Sequence, residues 1–143
     1  MQIKDTWKKN SLVDENQYLA MYEESLENNE DFWNQQGNRI NWKKKYSKIK
    51  DVKYSSHEVN IKWYYDGTLN VSENCIDRHA EKTPDKIAII WEGDDPSHSK
   101  KISYKELLHN VNKTANVLKK IGVQKGDRVT IYLTMIPELA YVM

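Results

Sequence analysis

Residues 103–122 have the sequence SYKELLHNVNKTANVLKKIG, and they predict the clearest helix of the chain. Ser103 and Glu106 form a capping-box pattern, in which each side chain bonds the backbone N–H of the other residue. Gly122 is the residue type that most readily takes the left-handed conformation at the end of a helix. Apolar residues recur between these ends at helical spacing, and they predict a buried stripe of Leu107, Leu108, Val111, Ala115, Leu118 and Ile121.

Strand patterns lie on both sides of this helix. Residues 86–91, KIAIIW, and residues 101–104, KISY, predict two strands joined by the long polar loop EGDDPSHSK. After the turn QKGD, residues 128–133, RVTIYL, predict a third strand. Pro137 then occupies the first turn of another helix.

A further helix precedes the hairpin. Asn70 is its predicted cap, with Glu73 three residues on, and Thr83-Pro84 ends it. The order is therefore helix, strand, strand, helix, strand and helix. This alternation predicts an α/β fold, in which parallel pairing requires further strands to complete the sheet.

The first part of the chain predicts helices followed by extended chain. Residues 1–10 are expected to fray, and a helix begins at Ser11 or Asp14 and runs to about Glu27. A second short helix over residues 30–36 is expected to end at Gly37 as a left-handed stop. Residues 40–65 lack helical periodicity and predict a long extended arm over a neighbouring surface, with a turn at Asp66-Gly67.

Composition limits the classes of function. The 143 residues are 38% hydrophobic and 30% charged, with a net charge of +1, so no overall field attracts nucleic acid or acidic lipids. The charge is uneven, because residues 1–36 have three basic and eight acidic groups whereas residues 37–65 have eight basic and two acidic groups. A single cysteine excludes an internal disulfide, and no apolar run is long enough to span a membrane. We therefore expect a soluble, cytoplasmic protein that binds no membrane.

Few residues suggest catalysis or metal binding. The five glycines are isolated, so the sequence contains no glycine-rich phosphate loop with its lysine. Asp94, Asp95 and His98 share one loop, but their spacing is typical of an ordinary surface turn. Cys75 and His79 are one helical turn apart, and no second pair completes a tetrahedral zinc site. We predict no catalytic, cofactor-binding or metal-binding residue in this chain.

The lysine-rich arm is the best candidate for nucleic-acid binding. Residues 42–54, WKKKYSKIKDVKY, contain six lysines interleaved with aromatic residues, a composition found in single-strand binders. The neutral chain lacks the broad basic face that such binding usually needs. We therefore favour a solvated arm with aromatic anchors, and we expect no nucleic-acid partner.

Several linked blocks resemble a known family. NIKWYYDGTLNVSENCIDRH, DKIAIIWEGDD and SKKISYKEL, in that order, resemble the N-terminal part of AMP-forming acetyl-CoA synthetase, an adenylate-forming ligase. The resemblance extends back through YEESLENNEDFWNQQGNRINW and forward through NVLKKIGVQKGDRVTIYL and MIPELA, so it covers about residues 15–143. Propionyl-CoA synthetase shares this layout, but the IIWEGDD block and the KISYKEL spacing favour the acetyl branch.

The resemblance implies a fold and a division of the chain. Residues 1–67 correspond to the family's N-terminal extension of helices and lysine- and aromatic-rich arm, and residues 68–143 to the start of its AMP-binding domain. Complete members are several times longer. The chain is therefore expected to be a truncated piece of a larger ligase domain, and the stop after Met143 falls within an interior helix.

The resemblance also implies an activity for the complete enzyme. Members join acetate to ATP as acetyl-adenylate, release pyrophosphate and transfer the acetyl group to coenzyme A, with ATP, Mg²⁺ and coenzyme A as ligands. The phosphate loop, acyl pocket and adenylation lysine of the family match no position in this chain. It is therefore expected to be inactive alone, and its expected partner is the remainder of the ligase as a separate chain.

Two other accounts of the chain stay open at this level. The first is a non-functional product of a truncated gene. The second is a stand-alone interaction module, in which the aromatic arm over residues 40–65 binds a partner protein. The sequence does not discriminate between these accounts.

Overall fold

A computed structural model describes residues 3–143, and the chain divides into two compact units, with the boundary in the sequence between Asn70 and Val71. Helices and strands are mixed in both units, as the α/β prediction requires. The described residues form three sheets, and each sheet consists of two antiparallel strands. The fold is thus a set of small local sheets accompanied by helices.

Three helices open the first unit: α1 (Asp5–Asn10), α2 (Glu15–Glu27) and α3 (Asn29–Gly37). The expectation that residues 1–10 fray is wrong for the described part, because α1 forms there, with all its residues exposed. Asp14 caps α2 as predicted. Its carboxylate accepts the Gln17 N–H at 2.8 Å, and the Gln17 side chain accepts the Asp14 N–H at 2.9 Å.

The predicted extended arm is a pair of small antiparallel sheets. Strand β2 (Lys48–Tyr54) pairs with β3 (Val59–Tyr65) as a hairpin, with Lys50 opposite Trp63 and Val52 opposite Ile61. Strand β1 (Trp42–Lys44) pairs with β4 (Thr68–Leu69). The predicted extended conformation and the turn after Tyr65 are confirmed, whereas the sequence pattern did not reveal which strands pair with each other.

An aromatic cluster of Trp42, Tyr46 and Tyr64 packs against the end of α3. Its ring centroids are 4.9–5.3 Å apart. Gly37 lies beneath the rings, and a Cβ atom there would be 2.8 Å from the Tyr46 hydroxyl and 2.9 Å from the Tyr64 ring. The expectation of a left-handed stop at Gly37 is wrong, because Gly37 is the last residue of α3 and lacks a positive φ. This glycine is needed for close approach, since any side chain would meet the rings.

Polar groups of the same rings bond the backbone and side chains of α3. The Trp42 indole N–H donates to the Gly37 carbonyl at 2.8 Å, and the Tyr46 hydroxyl donates to the Asn34 side-chain oxygen at 2.7 Å. The Tyr64 hydroxyl donates to the Trp33 carbonyl at 2.8 Å. The cluster therefore satisfies its polar atoms while it joins the strands to the helix.

The second unit begins with a helical stretch over residues 71–82, in which a π-helical segment (Glu73–Asp77) leads into α4 (Arg78–Lys82). The predicted hairpin follows as β5 (Ile87–Glu92) and β6 (Ser99–Ser103), which are antiparallel. Helix α5 (Tyr104–Lys120) comes next, and α6 (Pro137–Val142) is the last element. The buried apolar residues of this unit are Ala80, Ile102, Leu107 and Pro137.

Helix α5 begins and ends where predicted, but only half of the predicted capping box forms. The Ser103 hydroxyl accepts the Glu106 N–H at 3.3 Å, and no return bond from the Glu106 side chain to the Ser103 N–H accompanies it. At the other end Gly122 has φ +94°, its N–H donates to the Lys119 carbonyl at 3.1 Å, and the Val123 N–H donates to the Leu118 carbonyl at 3.1 Å. These two bonds are the pattern of a Schellman motif, which satisfies carbonyls at the helix end.

The predicted apolar stripe of α5 is only partly buried. Leu107 is buried, and Leu108, Val111, Ala115 and Leu118 are half-buried. Ile121 is 70% exposed, so its predicted burial is wrong. Periodicity places these residues on one face of the helix, but burial requires a second element over each of them.

Residues 128–133 do not form the predicted strand. They take part in no strand pairing within residues 3–143, and Tyr132 is 99% exposed. The segment is held at its end, where the Trp91 indole N–H donates to the Met135 carbonyl at 2.7 Å. The alternating β-branched and aromatic sequence favours a strand, but a strand exists only where a neighbour accepts and donates its backbone hydrogen bonds.

We expect Gly37→Ala to lower the free energy of unfolding of the first unit by about 1–3 kcal/mol, because the added methyl group overpacks the ring cluster. Urea unfolding followed by tryptophan fluorescence is a suitable measurement, since four of the five tryptophans lie before residue 71. Gln35→Ala, at an exposed position of α3, is the control. An unchanged or higher stability for Gly37→Ala would contradict this packing.

Candidate functional site

The residues that sequence analysis considered for zinc do not assemble a site. Cys75 is exposed and not in a disulfide. His79 is half-buried, and its ring lies against Tyr104 with centroids 5.1 Å apart. In the described part of the chain, no three histidine, cysteine or acidic side chains converge as metal ligands would.

The acidic loop between β5 and β6 is a closed turn. The Gly93 N–H donates to the His98 carbonyl at 2.8 Å, and the His98 N–H donates to the Asp95 carbonyl at 2.9 Å. The Asp95 carboxylate accepts the Ser97 N–H at 2.9 Å, and this hydrogen bond lowers the pKa of Asp95. The local polar groups therefore stabilise the turn itself.

The lysines of the arm are distributed among separate local partners. Lys44 forms an ion pair with Asp66 at 2.8 Å, and Lys53 forms one with Glu58 at 2.6 Å. Lys50 donates to the Asn29 side chain at 3.1 Å and lies 6.0 Å from the Trp63 ring. These contacts stabilise the two strand pairs and the contact between β2 and α3. The absence of a nucleic-acid partner stays a prediction.

Asp66 fixes the turn between β3 and β4. Its carboxylate accepts the Lys44 ammonium and the Ser47 N–H, both at 2.8 Å. These hydrogen bonds lower the pKa of Asp66 to about 2, chiefly through Lys44. Asp66 and nearby Tyr64 both have positive φ values, +57° and +50°. Aspartate tolerates a positive φ better than tyrosine does, so the backbone of Tyr64 is strained. The contacts of the aromatic cluster offset this strain.

The surroundings of Tyr64 also change the pKa of its hydroxyl group. Burial raises the pKa of Tyr64, and the neighbouring Tyr46 raises it further. The hydroxyl is therefore neutral at physiological pH and acts as a hydrogen-bond donor to α3. The aromatic cluster was not predicted from the sequence. The pattern that could have revealed it is the set of closely spaced aromatic residues near two glycines, Gly37 and Gly67.

The first unit also exposes an apolar surface, which we call the hairpin face. Directly opposite residues in an antiparallel pair share a face, so the apolar members of the hairpin face are Val52, Tyr54, Val59, Ile61 and Trp63, and Lys50, opposite Trp63, lies on the same face. All five apolar residues are exposed, and the Trp63 ring lies 5.8 Å from that of Trp33 in α3. An exposed apolar surface of this kind is suited to binding.

Comparison with known proteins identifies the family. Residues 18–75 match the family described as acetyl-coenzyme A synthetase N-terminus, and residues 76–143 match the family described as AMP-binding enzyme. The chain is 58% identical over 137 residues to acetyl-coenzyme A synthetase of Parvibaculum lavamentivorans. The chain belongs to the acetyl-coenzyme A synthetase family. It spans 96% of its own length in that match but only 21% of the relative, whose N-terminal part it represents.

A second relative and a solved structure agree with this assignment. The acetyl-coenzyme A synthetase of Brucella suis is 57% identical over 136 residues, which are 95% of this chain and 21% of the relative. The solved acetoacetyl-CoA synthetase from Streptomyces lividans superposes with a TM-score of 0.75 at 24% identity, over 95% of this chain and 21% of that one. The latter likeness shows the fold, which is that of the N-terminal part of an acyl-CoA synthetase.

The boundary between the two family matches lies near the boundary between the compact units. The former falls after residue 75 and the latter after residue 70. The division at residues 67 and 68 stays a prediction, as does the absence of catalytic and ligand-binding residues. In the described part of this family member, none of the helices has the length and apolar character that crossing a membrane requires.

We expect Asp66→Asn to have a lower free energy of unfolding than the unchanged chain above about pH 4, and we expect this difference to disappear in acid. The folded-state pKa of about 2 lies below the ordinary 3.8, so the Asp66 contribution is complete above about pH 4 and is lost as the pH falls toward 2. Asparagine tolerates the positive φ value, which isolates the charge. Unfolding curves of both chains between pH 6 and pH 2 measure the difference, and a carboxyl group of Asp66 that titrates near 3.8 by NMR would contradict it.

Proposed function

We propose that this chain provides the N-terminal part of an AMP-forming acetate–CoA ligase and has no catalytic activity alone. The observation that supports this most is the 58% identity with an acetyl-coenzyme A synthetase over 96% of the chain. The tandem family matches point the same way. Because the chain spans about a fifth of such relatives, the complete reaction belongs to the assembled ligase.

The reaction proposed for the assembled ligase has two steps. Acetate attacks the α-phosphorus of ATP and displaces pyrophosphate, and the coenzyme A sulfur then displaces AMP from acetyl-adenylate. The first step requires Mg²⁺ and preorganised donors around the transferring group. We assign the binding of ATP, Mg²⁺ and coenzyme A to the remainder of the ligase, because the candidate residues of this chain lie in turns, ring contacts and ion pairs.

The remainder of the ligase is therefore the proposed partner. Residues 128–133 support this proposal, because they present unpaired strand-forming backbone and exposed apolar side chains such as Ile131 and Leu133. Strands supplied by the remainder would accept these hydrogen bonds. We propose a cytoplasmic location, no nucleic-acid partner and no membrane partner, in keeping with the single cysteine and the neutral overall charge.

We expect acetate-dependent pyrophosphate release only when the chain is mixed with a polypeptide that comprises the rest of the Parvibaculum relative. Each component alone should release none above background, and acetate should be preferred to propionate. A mixture of the same remainder with unfolded chain is the control. Activity of the chain alone would contradict its proposed dependence, and a soluble but inactive mixture would contradict its proposed contribution and favour a non-functional product.

A stand-alone interaction module is the second candidate. The exposed hairpin face, with Tyr54 and Ile61 in two adjacent strands, specifically favours it. This role is compatible with family membership, because binding through the first unit does not require the catalytic residues of the ligase.

A further inference from the structure

Asp66 and Gly67 are the only place in the sequence where glycine follows an aspartate or an asparagine. A chain rearranges most readily at such a place, because glycine has no Cβ atom to hinder its own amide nitrogen. That nitrogen can attack the carboxyl carbon of the preceding side chain and close a cyclic imide. The contacts of Asp66 and Gly67 therefore determine how fast this reaction is in the folded chain.

The reaction is an isomerisation that requires only water. The Gly67 nitrogen bonds to Cγ of Asp66, the Cγ–OH bond breaks, and the proton of the nitrogen leaves with that hydroxyl group as water. Hydrolysis of the resulting succinimide returns the water and yields either aspartate or isoaspartate. The composition of the chain is unchanged, but isoaspartate carries the backbone through Cβ and Cγ and so lengthens it by a methylene group.

Three hydrogen bonds engage the two reacting groups in the folded chain. The Asp66 carboxylate accepts the Lys44 ammonium at Oδ2 and the Ser47 N–H at Oδ1, both at 2.8 Å. The Gly67 N–H donates to the Tyr64 carbonyl at 3.0 Å and closes the turn. The attack on Cγ therefore begins only after these bonds are broken.

Charge opposes the reaction as well, although the site is accessible to water. The Asp66 side chain is 32% exposed and that of Lys44 is 61% exposed. The contacts of Asp66 lower the pKa of its carboxyl group to about 2, chiefly through Lys44, so this group is ionised at neutral pH. The ionised form is the unreactive one, because only the protonated carboxyl group releases water as its leaving group.

We propose that Asp66–Gly67 is a site of spontaneous isoaspartate formation, and that the Lys44 ammonium slows this modification by holding the Asp66 carboxylate. The modified turn does not fit the folded chain, because a Cβ atom on Gly67 would already be 2.8 Å from the Trp42 ring. The turn also leads directly into β4, which pairs with the strand of Trp42 and Lys44. Isoaspartate at residue 66 is therefore expected to disrupt the β1–β4 pair.

This inference does not depend on the proposed ligase function, because it concerns a reaction of the chain itself. The folded full chain is incubated at neutral pH and digested with trypsin. Liquid chromatography then separates the aspartate and isoaspartate forms of residues 63–78, which have equal masses. Asp77 lies in the same tryptic peptide and precedes Arg78, so it is an internal reference that should stay aspartate.

A synthetic peptide of residues 64–70 measures the reaction without Lys44 and Ser47. We expect isoaspartate at residue 66 to form roughly tenfold or more slowly in the folded chain than in this peptide, since hydrogen bonds to a charged group must break first. Equal rates in the folded chain and the peptide would overturn the proposal, as would a peptide that forms no isoaspartate. This comparison requires no variant of the chain.

Lys44→Met tests the assigned lysine, because it removes the ammonium group and keeps the aliphatic stem. We expect it to raise the rate roughly two- to fivefold, the range that an exposed ion pair supplies. Lys44→Arg should keep the rate low. Lys53→Met is the matched control, since it removes the ion pair with Glu58 in the same unit.

Far-UV circular dichroism verifies that each variant is folded. A folded Lys44→Met variant with the rate of the unchanged chain would overturn the role of Lys44. Equal acceleration by Lys44→Met and Lys53→Met would also overturn it, because the effect would then not arise from the contact with Asp66.

Discussion

A β-strand requires neighbouring strands that hydrogen-bond its backbone. This constraint determines which segments of the chain form strands by themselves. The three described sheets have two strands each, so every strand leaves one edge unpaired. Hairpins such as β5–β6 satisfy half of their backbone groups locally because the two strands are close in sequence. Residues 128–133 have no such local partner, and they join none of the described sheets.

The first unit compensates for its small sheets with aromatic packing. Trp42, Tyr46 and Tyr64 cover Gly37 and bond α3, so a helix end serves as the platform for two strand pairs. The Asp66–Lys44 ion pair fixes the turn beside this cluster. These contacts explain why this unit is compact although its hairpin face is exposed.

Local chemistry was predictable from the sequence. Asp14 and Ser103 cap their helices, and Gly122 ends α5 with a positive φ, because each depends on residues within one or two turns. The β5–β6 hairpin follows from two short strand patterns around a turn-rich loop. The family was likewise evident from its sequence blocks, and both family matches agree with it.

Features that depend on distant contacts were not predictable. The burial of Gly37 depends on rings from β3 and from the segment after β1, and the exposure of Ile121 depends on whether another element covers that end of α5. The strand pattern of residues 128–133 is genuine, but strand formation depends on neighbours that the pattern does not specify. The acidic loop of Asp94, Asp95 and His98 depends on local contacts instead, and it is the surface turn that its spacing predicted.

The most direct test of this account is hydrogen exchange at the amides of Val129, Ile131 and Leu133, with and without the remainder of the ligase. The account predicts fast exchange in the chain alone, since these residues have no strand partner. It predicts strong protection in the assembled ligase, where new strands accept these hydrogen bonds. Protection in the chain alone, or fast exchange that persists in an active mixture, would contradict it.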